Sequence, residues 1–275
     1  MSPRTLAASG AASLLVLSLT ACAPFEEAVE RLAYGAITGT FSYEELDRDA
    51  PFAGSPAEDY GEGFPVPEAE PVGSFDAEQV AEAYDTTRAL LEAVYLNEEA
   101  VFDENNSELT GLLSGRPLEW YLDNLGNEDP ELSSRHVPFN LSPGTAEPVG
   151  DVVKVDGWMR AEAVTGEQPW EYLMVATEYT IVHPIARPGK PVSMRLVTSH
   201  FGGVEFYELS DGSLEAWPTW WRTVGPAHCL EDQYTFTPAF PDDFPEGEHP
   251  RGRPRDAYDL EASRDVDECG AVEGT

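Results

Sequence analysis

The chain of 275 residues carries 51 acidic and 16 basic side chains, a formal charge of −35 at pH 7, together with 23 prolines and 23 glycines. A body this anionic repels phosphate backbones and anionic lipid headgroups alike, which excludes nucleic-acid binding and electrostatic docking on a membrane surface. Lys154 and Lys190 are the only lysines, so nearly all of the positive charge is arginine.

After Arg4 the chain runs apolar or small from Leu6 to Leu19, about 14 residues, the length of a signal-peptide core and short of the ~20 needed to cross a bilayer. Ser9, Gly10 and Ser13 interrupt the run. Leu19-Thr20-Ala21-Cys22 then sets small residues directly before a cysteine. This stretch resembles a bacterial lipoprotein signal with its lipobox. The resemblance implies that residues 1–21 are removed as a signal peptide and that the Cys22 thiol carries a diacylglycerol, the chain being acylated (palmitate) and held on the outer, extracytoplasmic face of the cell membrane. An ordinary secretory signal with a coincidental cysteine is the alternative. Acyl chains contribute about 0.8 kcal/mol per buried CH₂, so a repelled, anionic body can still be retained.

Residues 24–37 space Phe25, Ala28, Val29, Leu32, Ala33 and Ile37 as a short amphipathic helix beside the lipid. From Gly39 to Gly73 the texture turns to acids, prolines and glycines, so residues 22–73 read as a lipid-proximal segment and a disordered tether. A globular domain is expected over 74–229. Asp76 and Gln79 make a capping box, and Val80, Ala83, Tyr84, Thr87, Leu91 and Val94 mark one face of a helix ending near Leu96. Shorter helices fit Leu109–Leu113 and the stretch from Pro117 to Leu125.

After Pro148 the pattern changes to β-branched and aromatic runs punctuated by TGEQP, RPGKP, GG and SDGS, which predicts a four- to five-stranded antiparallel meander. Helices first and strands afterwards give an α+β fold with the helices packed on one sheet face. The element order is similar to the cystatin-like and NTF2-like cone folds. Residues 230–275 are proline-rich and acidic and read as an irregular tail wrapped on the domain. Cys229 and Cys269, an even pair in an exported chain, are expected to close a disulfide over a loop of about 40 residues, contributing about 3–4 kcal/mol. Two free buried thiols are the alternative.

EAWPTWW is the densest feature, and Trp217, Trp220 and Trp221 are candidate faces for stacking on a ligand such as a glycan. On a strand, Trp217 and Trp221 share one face and Trp220 takes the other. A tight turn at Gly202-Gly203 would set His200 across from Glu205, with Glu178 nearby, as a weak candidate acid–base cluster. DENNSE (103–108) begins like a calcium loop but lacks its glycine and its closing glutamate, so no metal is expected. The common hydrolase, NTPase and dinucleotide signatures are absent, and no cofactor is implied. The reading is a lipid-anchored protein that binds a ligand or an envelope protein partner. Rival readings are a spacer of the envelope, or a small-pocket enzyme using a His–carboxylate pair.

Overall fold

The computed structural model describes residues 46–129, 132–166, 170–228, 234–244, 255–264 and 270–275. A boundary falls between Ser42 and Tyr43, and all of the described residues belong to the unit Tyr43–Thr275. Cys22, Cys229 and Cys269 lie outside the described residues, as do the expected signal peptide and the helix at 24–37.

The first strand, β1 (Gly61–Glu62), belongs to a segment expected to be tether. The longest helix, α1 (Ala77–Tyr95), starts where the capping box expects it. The Asp76 carboxylate accepts from the N–H groups of Glu78 and Gln79, and the Gln79 amide oxygen accepts from Asp76 N at 3.0 Å. Its expected apolar face is buried. Three short helices follow: α2 (Glu98–Asp103), α3 (Ser107–Leu112) and α4 (Gly115–Asn124). The helix α2 has no counterpart among the expected elements. It is capped by Asn97, whose side chain accepts from Ala100 N at 2.9 Å.

The strands are β2 (Glu147–Pro148), β3 (Lys154–Thr165), β4 (Glu171–Ala186), β5 (Ser193–Glu208), β6 (Leu214–Pro218) and β7 (Trp221–Gly225). The sheet is antiparallel in the order β1-β3-β4-β5-β6, with β2 added to β4 and β7 following β6 along β5. Two separate two-stranded sheets lie outside it, β8 (Ala227–His228) with β9 (Thr237–Pro238), antiparallel, and β10 (Arg255–Asp256) with β11 (Val272–Glu273), parallel. One turn of helix, α5 (Leu260–Ser263), lies between β10 and β11. The α+β architecture with helices against an antiparallel sheet is therefore present. Among the described residues no helix is long and apolar enough to cross a membrane.

Register assigns the two sheet faces. Residues directly opposite one another share a face, and the face alternates along each strand. The inner face carries Val155, Met159, Leu173, Val175, Tyr179, Ile181, Leu196, Val204 and Phe206, which pack with Val80, Ala83, Leu91 and Val94 of α1 in one core. The outer face carries Val182 and Val197, a directly opposed pair, which join Phe52, Ala57 and Ala257 in a second, smaller cluster.

That second cluster corrects the expected tether. Residues 46–73 form a strap on the domain: Arg195 donates to the carbonyls of Pro51 (2.7 Å) and Ala53 (2.9 Å), Leu46 N donates to Ser193 Oγ, and β1 pairs with β3. Phe64 then meets Tyr179 edge-on at 4.9 Å. Four scattered apolar side chains (Leu46, Phe52, Ala57 and Phe64) are enough to dock the segment, because the sheet edge and Arg195 satisfy its backbone. The described parts of the tail also touch the domain: Phe236 N donates to Asn140 O, and Arg187 pairs with Asp242 and Asp243.

The turn expected at Gly202-Gly203 is not there. β5 runs unbroken through both glycines, in a continuous register with β4. Gly202 has φ +113°, and a Cβ on it would stand 2.5 Å from Thr219 O and 2.6 Å from Trp220 Cα. A Cβ on Gly203 would stand 2.0 Å from Val175 O. The glycine pair serves close approach of neighbouring strands, which a sequence reads the same way as a turn.

Candidate functional site

The missing turn separates the expected acid–base cluster. His200 lies on the inner face, fully buried, opposite Tyr179 and Arg222. Its Nδ1 is 2.8 Å from the Tyr95 hydroxyl and its Nε2 is 2.8 Å from Thr177 Oγ1. Arg222, which bonds to the carbonyls of His136, Val137 and Pro138, also reaches the Tyr95 phenol. With Arg222 donating to the phenol oxygen, the Tyr95 proton goes to Nδ1, and Nε2–H donates to Thr177. Burial, reinforced by the Arg222 charge, pushes the His200 pKa well below the ordinary histidine value. Burial likewise raises Tyr95 to about 12 against the opposing effect of Arg222. A neutral imidazole locked between two hydroxyls holds the helix α1 to the sheet.

Glu205 and Glu178 lie on the outer face, so the three side chains are not brought together. Glu178 is ion-paired with Arg264 of the tail, whose guanidinium lies 4.7 Å from the Phe201 ring centroid. The DENNSE side chains join helices instead of surrounding an ion: Asn105 donates to Glu99 at 2.7 Å, and Asn106 bonds to Asn140. Among the described residues no group of three His, Cys, Asp or Glu is placed to hold a metal.

The tryptophans divide between the faces. Trp220 is buried on the inner side, its Nε1–H donating to Val137 O at 2.9 Å. Trp217 pairs across from Glu205 and Trp221 across from Phe201, both on the outer face, where Trp221 stacks on Phe201 at 4.4 Å. Trp221 is 40% exposed, and Trp158, in the same cross-strand row through Glu178 and Phe201, is 42% exposed.

Among the described residues, the outer face is covered at one end by the strap and tail and open at the other. At the open end lies a half-open cleft of about 630 Å³, lined by Arg116, Trp170, Glu171, Glu205, Tyr207 and Trp217, with Glu208 and Leu209 at its edge. Strand β5 contributes Glu205 and Tyr207 two residues apart on one face, and β6 places Trp217 beside Glu205. Tyr172 stacks behind Tyr207 at 5.2 Å. Trp170, at the start of β4, is 55% exposed.

Hydrogen bonds fix the polar wall. Burial alone would raise the Glu215 carboxyl, but hydrogen bonds from Arg116 and Trp217, with the guanidinium charge, hold it below the usual range. Arg116 N donates to Glu215 at 3.2 Å at the start of α4, where the helix dipole also favours a carboxylate. The Tyr207 hydroxyl donates to Glu205, and burial together with that carboxylate raises the phenol well above its ordinary pKa. Hydrogen bonds from Ser74 keep Glu171 ionised. The wall thus presents three carboxylates, Glu171, Glu205 and Glu208, and one guanidinium, which is already paired with Glu215.

Trp217 and Glu205 are candidates from the sequence; Arg116, Trp170, Tyr207 and Glu208 are not. The alternation VEFYE after the glycines carries the signal for Tyr207, and reading β5 through Gly202-Gly203 exposes it. Trp170 is hidden at the margin of a turn motif. No protein-family model matches the chain, and neither a curated protein nor a solved structure does.

Proposed function

We propose that the chain is a binding protein, lipid-anchored through Cys22 on the extracytoplasmic face of the cell membrane, whose ligand occupies the outer-face cleft. The observation that carries the binding reading is the cleft itself: aromatic faces and carboxylates converge at the end of the outer sheet face that, among the described residues, neither strap nor tail covers. A cleft of this volume is in the range of small-ligand sites. The His–carboxylate chemistry of the rival enzyme reading has no support, since His200 and Glu205 face opposite ways.

The anchor reading rests on the lipobox at residues 19–22 and on the charge, which leaves acyl chains as the retaining force. The Cys229–Cys269 closure belongs to the same reading. It is supported by described neighbours, because Ala227 N donates to Gly270 O at 3.4 Å, bringing the two chain segments side by side. Mass spectrometry of the native N-terminus tests the anchor. A diacylated Cys22 is expected, and an unmodified Cys22 or cleavage elsewhere defeats it. For the cleft, Trp217→Ala abolishes binding of the native ligand captured from envelope extracts; capture unchanged by that substitution places the ligand elsewhere.

A further inference from the structure

The outer face repeats one arrangement three times: an arginine on an aromatic ring, paired at the same time with a carboxylate. Arg116 lies 5.9 Å from the Trp217 ring centroid and pairs with Glu215. Arg160 lies 5.3 Å from Trp158 and pairs with Glu162 at 2.8 Å. Arg264 lies over Phe201 and pairs with Glu178. Beside the Arg116–Trp217 unit, the cleft also holds Trp170 and Tyr207 with Glu205 and Glu208, a set without an arginine of its own. Among the described residues no lysine or arginine pairs with Glu205 or Glu208, and none lies on the rings of Trp170 or Tyr207.

We propose that the cleft takes a small organic cation, its ammonium or guanidinium group set against Trp170 and Tyr207 and neutralised by Glu205 and Glu208. The inference rests on the cleft being the binding site and names its ligand class. Aromatic faces attract cations through the ring quadrupole, and the attraction grows as walls exclude water. The carboxylates add charge-assisted hydrogen bonds to N–H donors. The field of a body with a charge of −35 raises the local concentration of cations and lowers that of anions.

A neutral sugar fits the same walls less well. Its hydroxyl oxygens need donors, and three of those here are already turned to carboxylates: the Tyr207 hydroxyl to Glu205, and Trp217 Nε1 and one N–H of the Arg116 guanidinium to Glu215. What remains is an excess of acceptors beside flat apolar faces. That excess calls for a ligand rich in donors and positively charged.

The test uses the full chain in mild detergent, labelled with 5-fluorotryptophan, so that each of its six tryptophans reports separately by fluorine NMR. The probes are choline and L-arginine, their neutral isosteres 3,3-dimethylbutan-1-ol and L-citrulline, a neutral oligosaccharide, and an arginine-rich peptide. Choline, arginine or both are expected to shift the Trp170 and Trp217 signals, with roughly tenfold weaker binding of the matching isostere. Glu208→Gln weakens the cation severalfold and leaves the isostere unchanged, and added salt acts in the same direction. Isosteres that bind as well as their cations overturn the proposal, as does a response to the oligosaccharide alone; in both cases the cleft reading survives. A response to the peptide without either small cation overturns it in favour of a macromolecular partner. If no probe moves either tryptophan, the proposal fails. Native ligand captured from envelope extracts then separates it from the cleft reading, which falls too if that ligand leaves both signals in place.

Discussion

His200 and Glu205 sit five residues apart on β5, and that odd interval sends them to opposite faces of one strand. On the inner side the central polar groups are tied into the core: His200 is bonded at both nitrogens, and Arg222 is spent on loop carbonyls. On the outer side Glu205 has, among the described residues, a single side-chain partner, Tyr207, and otherwise looks into the cleft. The same backbone therefore supplies a structural polar network and a recognition surface, separated by the thickness of one sheet. The sheet's crowded centre keeps the two faces distinct, since any slip of one residue would exchange them.

The largest effect comes from breaking that register. Gly203→Ala would force a Cβ to within 2.0 Å of Val175 O in the centre of the sheet. The expected cost is about 3 kcal/mol or more, because the obstacle is backbone rather than a movable side-chain tip. Urea unfolding measures it. A loss under about 1 kcal/mol would mean that the strands can separate there, and with it the close-approach account of the glycine pair would go.

Next in size is the pH response of the inner face. His183, buried with its Nε2 on Tyr95 O, has its pKa pushed by burial down to about 4, and His200 is also depressed. Above about pH 6.5 both are neutral whether folded or unfolded, and they contribute no pH dependence. On acidification the unfolded chain binds protons that the folded chain refuses, so stability falls between about pH 6.5 and the folded value. From pH 7 to 5 the His183 share of that loss is on the order of 2 kcal/mol, and His200 acts in the same direction. His183→Gln should flatten part of that slope. A slope identical to that of the wild type shows that the ring is not buried neutral.

Much of this organisation is readable in the chain. The capping box fixes where α1 begins, and the spacing of Val80, Ala83, Tyr84, Leu91 and Val94 names its buried face. Period-two alternation puts Trp220 opposite to Trp217 and Trp221. Two features mislead, for related reasons. Glycine pairs mark both turns and close contacts, and only the partner strand decides which. The strap at 46–73 has the composition of a linker because its order comes from Arg195, Ser193 and the edge of β3, which are distant in sequence. The cleft draws on α4, β4, β5 and β6, so no local motif could announce it.

The strap gives a smaller, local prediction. Phe52→Ala removes a ring from the cluster with Ala57, Val182, Val197 and Ala257. The cluster is small and its loss is local, so about 1–2 kcal/mol is expected, below the usual cost in a main core. Limited proteolysis should cut the variant within 46–60 while the wild type resists there. Cutting of the wild type at those sites would restore the picture of a loose tether and leave the outer face uncovered at both ends.

The smallest effect on stability belongs to Glu205, and its smallness is what distinguishes the two faces. Glu205→Gln keeps the volume and an acceptor for the Tyr207 hydroxyl while removing a negative charge. Stability should change by no more than about 0.5 kcal/mol, as for a surface group whose partners can adjust. The Tyr207 phenol, raised by burial and then by the adjacent carboxylate, should move back towards its ordinary range, which ultraviolet titration can follow. His200→Ala, five residues away, should cost about 2–3 kcal/mol through the stranded Tyr95 and Thr177 hydroxyls. Comparable losses from the two substitutions would show that Glu205 also serves the fold, and the cleft would lose its claim to be a surface kept open for a ligand.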